Sequence, residues 1–435
     1  MPRSPRIRSP RRGDPGGGGP KPGGPGFGGV LATLRHRNFR IYISGNAVSL
    51  IGTWMQRTAV GWLTWDLTQS GFWLGLVACA GLLPAVFVGP LGGVLADRFD
   101  RLRIVMAAQT VALLQAGALF ALTAGGAIGV ELLALLVLVH GVAMGFNQPS
   151  RLALMPGLVP PEALSTGIAI NSVAFNLARF IGPAMAGLLI VTLGVAGAFA
   201  ANALSFLVFL IALSRLRLSA AARGLRRAEG DSGASLLAEL RDGIGYALGH
   251  PGIGPMLLLL ATVSLGVRPF IDLMPGFAAE VFGGGAGTLA LLSSTVGLGA
   301  VASGLWIARR GSGGLTRLVL VNALLAGLAI LGFVATDLLW FALISVALAG
   351  MALVASAISM QTLMQLAVDG RRRGRVLSLY GIIFIGGPAA GALVMGALSE
   401  VLGLRLPLAG GVLLALLVWL RIWRRRQAIA AALEP

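Results

Sequence analysis

The chain has 435 residues, 56% of them hydrophobic and only 11% charged, with a formal net charge of +18 and a mean hydropathy of +0.85. A soluble domain carries about 25% charged residues, so this composition excludes a water-soluble globular protein and makes lipid the solvent. Cys79 is the only cysteine, which excludes an intrachain disulfide.

Residues 1–33 are rich in Pro, Gly and Arg and contain no apolar stretch or signal-peptide core. They read as a disordered tail. Twelve apolar runs follow, over residues 41–66, 72–95, 103–125, 131–155, 163–190, 194–214, 252–279, 287–308, 316–336, 338–362, 376–398 and 404–423. Each is close to the ~20 residues that a helix needs to cross the hydrocarbon, and strand alternation is absent. The expected fold is therefore all-α and integral to the membrane, with twelve transmembrane helices in two six-helix halves at 34–214 and 251–426. Between the halves, residues 215–250 form a polar loop. Within it, Ser235 to Asp242 reads as an amphipathic helix with Ser235 as N-cap. Residues 427–435 form a short C-terminal tail.

The basic residues set an orientation. Of 34 Lys and Arg, all but five fall in the N-terminal region, the C-terminus, or the loops after runs 2, 6, 8 and 10. The exceptions are Arg57, Arg151, Arg179 and Arg268 inside runs, and Arg405 on the opposite face. Such asymmetry is the positive-inside signal and places both termini in the cytoplasm. The charge then reads as a topology determinant that also contacts anionic lipid. Scattered over six segments, it makes no nucleic-acid face.

One passage occurs twice. Phe180-Ile181-Gly182-Pro183-Ala184-Met185-Ala186-Gly187 is echoed by Phe384-Ile385-Gly386-Gly387-Pro388-Ala389-Ala390-Gly391. Arg57 and Arg268, and the Arg98 and Arg310 regions, recur at similar offsets. A duplicated membrane chain with matching Gly/Pro positions points to a secondary transporter built from parallel repeats. Proline weakens a helix and glycine permits close contact, so Gly182, Pro183, Gly187, Gly387, Pro388 and Gly391 are expected to seal or flex the interface between halves.

Six plus six helices with a polar central loop resembles the major facilitator superfamily. Gly93-Val94-Leu95-Ala96-Asp97-Arg98-Phe99-Asp100-Arg101 looks like that family's motif A, with Asp100 in place of a Gly and Leu102 in place of a Lys. Gly182-Pro183 with Gly187 partly resembles its antiporter signature. Arg37-Asn38-Phe39-Arg40, Pro149-Ser150-Arg151, the stretch from Asn171 to Pro183, and Arg268 to Pro275 resemble the drug and siderophore exporter branch, which includes the enterobactin exporter and macrolide efflux proteins. The resemblance covers about residues 34–425. It implies that Gly93, Asp97, Arg98 and Arg101 form a conformational switch, with Asp97 bridging the halves in the outward-facing state.

A charge inside the bilayer needs a partner or a wet cavity. Asp272 is the only carboxylate well inside a run, and Arg268 stands four residues earlier. The pair is the candidate for proton coupling, or else a fixed ion pair. Arg57 and Arg179 are unpaired by any carboxylate of their own runs. They are expected to line the substrate cavity with Gln56, Asn147 and Asn176, or to reach Asp272 across the halves. Arg179 has no counterpart in the second copy, which weights ligand contact towards the first half. Trp54, Trp62, Trp65 and Trp73 read mostly as interfacial anchors. His140 is isolated, and no metal cluster, cofactor site or nucleotide-binding sequence is evident. The expectation is an inner-membrane exporter, not an enzyme. It would be a monomer that expels a small, largely hydrophobic molecule against protons. The alternatives are export of a siderophore or endogenous metabolite, and a non-transporting receptor or assembly factor.

Overall fold

A computed structural model describes residues 27–219, 222, 244–310, 313–368 and 370–434. The N-terminal tail up to residue 26 and the segment Ser235 to Asp242 lie outside the described residues. Among the described residues all regular structure is helical: α1 Phe27–Arg35, α2 Arg37–Thr68, α3 Gly71–Arg98, α4 Arg101–Ala124, α5 Val130–Leu154, α6 Leu164–Ser214, α7 Ile253–Gly266, α8 Phe270–Gly276, α9 Ala286–Arg310, α10 Leu315–Ala335, α11 Leu339–Ala367, α12 Gly370–Leu402, α13 Arg405–Arg424 and α14 Arg426–Leu433. Ten of the helical segments are long and apolar enough to cross a membrane. The helix α2 is not among the ten, because polar residues such as Asn46, Gln56 and Arg57 interrupt its apolar surface. At 32 residues it is nevertheless about 48 Å long.

The 51 residues of α6 are too many for one pass. The helix breaks at Gly194, whose φ of 74° and ψ of 174° belong to glycine alone. Two arms result, and both pack on α2. In the first arm Gly167 faces Phe39 and Gly182 faces Trp54. In the second, the facing pairs are Asn202 with Gln56, Gly52 with Ser205, and Gly45 with Phe209. The first arm therefore runs parallel to α2 and the second antiparallel to it. The break falls at Gly194, not at Pro183, which stays within the helix.

The run at 252–279 is not one continuous helix. Turn residues 267–269 separate α7 from α8, and a π-helical turn, Phe277–Val281, follows. Pro269 lacks an N–H and cannot extend the ladder of α7, and the Arg268 N–H bonds back to the Val263 carbonyl at 3.1 Å. Such π turns gather at functional sites.

The two sequence halves meet at the far end and middle of the bundle, away from the termini. At the far end α3 and α12 are nearly in backbone contact: a Cβ at Gly75 would overlap the Ala392 carbonyl, and one at Gly396 would overlap that of Gly71. Glycine here lets dispersion and polar contacts act at short range, which holds helices together where water does not drive association. The Glu400 carboxylate accepts from the Ser70 hydroxyl at 2.8 Å and the Phe72 N–H at 3.0 Å, so a residue of α12 caps α3. Towards the terminal end, Gly89 and Gly93 of α3 and Gly374 and Gly381 of α12 have no atom within 4 Å of an added Cβ.

The Gly-Pro repeat calls for a correction. Gly182 packs on Trp54 of α2, and Gly387 packs on Ser264 of α7, each within its own sequence half. Gly391 lies against Leu265 and Pro269, also within its half, while Pro183 and Pro388 are buried. Of the glycines in the repeat, Gly187 and Gly386 reach the other half, at Ala290 of α9 and Val86 of α3. The repeat therefore pins the first helix of each half to its fifth. A Cβ at Gly182 would sit 2.5 Å from the Trp54 Cβ, and one at Gly387 would sit 2.6 Å from the Ser264 Cβ. Gly182→Leu and Gly387→Leu should each destabilise the purified protein by roughly 1–3 kcal/mol through overpacking while leaving membrane insertion intact. Thermal unfolding in detergent and membrane fractionation check both parts.

Candidate functional site

Three guanidinium groups and one carboxylate converge between the two sequence halves. Arg57 comes from the middle of α2, Arg179 from the first arm of α6, and Arg268 and Asp272 from the broken segment around α8. Arg57 Nη2 lies 2.7 Å from Asp272 Oδ1, joining the halves. The Asp272 side chain is only 9% exposed, against 40% for Arg57. Arg268 does not pair with Asp272. The turn at 267–269 breaks the continuous helix that would have put them one above the other. Arg268 instead donates to the Phe384 carbonyl at 2.6 Å and lies 4.0 Å over the Phe384 ring. Tyr380 stacks on Phe384 at 5.6 Å.

Arg179 has a different environment. Its guanidinium lies 5.5 Å from the centre of the Trp54 ring, and Arg57 approaches the same ring at 5.5 Å. Among the described residues Arg179 has no hydrogen-bond acceptor and no carboxylate partner. Trp54 is thus no interfacial anchor but the aromatic wall shared by two cations, held in place by Gly182 and Phe175. Trp65 is also interior: it is 3% exposed and packs where a Cβ at Gly276 would come within 2.9 Å of its ring.

A cavity opens beside this cluster. Arg179 and Arg268 point into a wall that is otherwise largely apolar and includes Leu260, Ile271, Met360 and Phe384. Every lining residue except Arg179 belongs to the second sequence half, which reverses the expected weighting towards the first. Gln56, Asn147 and Asn176 are not part of it. Gln56 is buried, accepting from Asn202 Nδ2 at 2.7 Å and donating to Gln115 Oε1 at 3.1 Å. Asn147 is 1% exposed beside Met144, and Asn176 donates to the Ser172 carbonyl of its own helix at 2.9 Å. Gln56 thus joins three helices of the first half, whereas Asn147 and Asn176 bond within their own helices.

Arg151, the remaining intramembrane arginine, is held by neutral groups. It donates to Asn46 Oδ1 and contacts the Tyr42 hydroxyl at 3.4 Å, while Asn46 donates to Asn171 at 3.0 Å. His140 lies against Phe206 with its buried Nδ1 unpartnered among the described residues. No group of His, Cys, Asp or Glu suited to a metal occurs among the described residues.

The first loop joins α3 to α4 at the terminal end. Asp97 is 72% exposed and 3.6 Å from Arg101, four residues on. Arg101 also donates to the Ala96 carbonyl at 3.0 Å and the Ala153 carbonyl at 3.2 Å, so it holds the C-terminal ends of α3 and α5 together. Arg98 is exposed, and Gly93 faces open space. Asp100 caps α4, accepting from the Leu102 N–H at 2.9 Å.

Residues 28–433 match the model of a family described as transmembrane secretion effectors. The chain belongs to this family of major facilitator transporters. Across 418 residues it is 28% identical to the enterobactin exporter of Salmonella typhi, covering 91% of this chain and 96% of that one. At 22% identity it aligns with the staphyloferrin A transporter of Staphylococcus aureus, over 39% of this chain and 43% of that one, and with macrolide efflux protein A of Streptococcus pyogenes, over 55% and 58%. The chain therefore spans only about half the length of these last two relatives. Among solved structures, a bacterial homologue of the human lysosomal transporter Spinster, in an inward-facing and unoccupied conformation, superposes with a TM-score of 0.65 at 18% identity, covering 92% of this chain and 99% of that one. The family and its structural neighbours are membrane transporters and not enzymes.

Several groups of this transmembrane secretion effector are not apparent in the sequence. Asp100 followed by an apolar run was a legible N-cap pattern. Trp54, Phe384 and Glu400 carried no such signal, since their partners lie 125, 116 and 330 positions away in the chain. The Arg57–Asp272 bridge predicts non-additivity. Arg57→Gln leaves a carboxylate without its cation and should cost more than Arg57→Gln combined with Asp272→Asn. A double-mutant cycle on thermal unfolding should return a coupling of about 1 kcal/mol or more.

Proposed function

We propose that this transporter exports a small, largely hydrophobic molecule by proton antiport, with its two six-helix halves rocking about the central cavity. Counting α2, the two arms of α6, and α7 with α8 as single passes gives twelve, consistent with both termini in the cytoplasm of a cell's inner membrane. On this orientation the contacts at Ser70, Glu400, Gly75 and Gly396 close the outer side, and the cavity faces inward.

The observation that carries the coupling is the Arg57–Asp272 bridge, 2.7 Å long and spanning the two halves. An ion pair between the halves joins the helices that carry it. Protonation of Asp272 releases Arg57 and loosens the tie between halves, which links proton binding to rocking. Asp97, exposed at the inner end in this conformation, would engage the second half when that end closes, as motif A implies. The relatives named as an enterobactin exporter and a macrolide efflux protein support the direction of transport.

Efflux from proteoliposomes, with and without an imposed pH gradient, tests the coupling. Wild type should accelerate under the gradient. Asp272→Asn should lose at least about tenfold of that acceleration while still equilibrating substrate. A mutant that responds to the gradient as wild type does rules Asp272 out as the coupling site.

A further inference from the structure

The charges around the cavity do not balance. Arg57, Arg179 and Arg268 stand against a single carboxylate, and Asp272 is engaged by Arg57. Arg268 donates to a neutral carbonyl and lies over a ring, and among the described residues no carboxylate forms an ion pair with it. Arg179 has only the Trp54 face among the described residues. The three positive groups also lie close enough to repel one another. A charge within the bilayer is costly, and a neighbouring like charge adds to that cost. Two such cations in one apolar wall favour an arriving negative charge.

From this geometry we infer that the transported molecule is an anion, with one carboxylate or similar acidic oxygen group on an apolar body. Arg179 and Arg268 bind the acidic group, and Leu260, Ile271, Met360 and Phe384 enclose the rest. The inference rests on the export reading above and narrows its substrate class. Guanidinium supplies paired N–H donors that match a carboxylate edge, and the dry wall strengthens the attraction. An amine would meet two cations, and a neutral amide would leave them uncompensated. Asp272 also has a second consequence. It is the carboxylate already present in the cluster, so it acts as a resident competitor that an incoming anion must outbid for these cations. Removing its charge raises the net positive charge facing the cavity.

The test uses the full chain purified in dodecyl maltoside without anionic lipid, titrated calorimetrically with 2-naphthoate, 2-naphthamide and 2-naphthylmethylammonium. These three probes share one apolar body and differ in charge. The carboxylate should bind about tenfold or more tightly than either isostere. Arg179→Gln and Arg268→Gln should erase that preference, and Arg179→Lys should keep part of it. Asp272→Asn should bind 2-naphthoate several-fold more tightly than wild type, a gain that misfolding does not produce. Equal binding of the three probes, no binding of 2-naphthoate, a preference that survives both Gln variants, or weaker binding in Asp272→Asn overturns the inference. The outcome separates from that of the export reading. A carboxylate preference without flux in proteoliposomes ends the export reading alone. Proton-driven efflux of amines with no carboxylate preference ends this inference alone.

Discussion

The structure depends on how a few charges are held between apolar helices. One ion pair, Arg57 with Asp272, crosses between sequence segments 215 positions apart. Around it lie Arg179 and Arg268, which the protein itself does not neutralise. Burying a cation without a counter-ion destabilises the bundle, so the arrangement persists only because the surrounding helices are fixed independently. Trp54 and Phe384 lend their ring faces to the guanidinium groups, with Tyr380 stacked on Phe384, a partial compensation that leaves the charge available.

The independent fixing comes from glycine and from side-chain amides. Hydrophobic burial supplies little drive between helices already in lipid, so close backbone approach and interhelical hydrogen bonds take over. Gly182 against Trp54 and Gly387 against Ser264 set the first helix of each half against its fifth. Gln56, Asn202 and Gln115 form a chain of amides inside the first half. The contact between halves is made differently. At the far end it is glycine on backbone and one carboxylate on a helix N-terminus, namely Glu400 on Ser70 and Phe72. A joint built of few polar contacts is easier to break and remake than a packed core, which suits the proposed rocking of the two halves.

Much of this was legible in the chain. The helices and their approximate ends follow from apolar runs near 20 residues long, because lipid forces each segment to satisfy its own backbone. The Gly-Pro repeat marked helices that pack closely, though mostly within each half, and Asp272 was singled out by being a carboxylate in a run of hydrocarbon. Partnership was the illegible part. Sequence spacing favoured Arg268 for Asp272, yet the turn before Pro269 rotated them apart and Arg57 took the carboxylate. Gln56, Asn147 and Asn176 looked like cavity residues because polarity in a span has two uses, and spacing alone does not say which side of the helix meets a neighbour.

What the sequence determined by itself was the solvent, the helices and the inventory of charges, since these follow from composition and local periodicity. The tertiary structure decided which charges meet. It broke the segment around Arg268, folded α6 back at Gly194, and moved the cavity wall to the second half with Arg179 as its one residue from the first. The reason is physical. A helix fixes relations over one or two turns, whereas pairing across a bundle depends on crossing angles and rotations set by every contact at once.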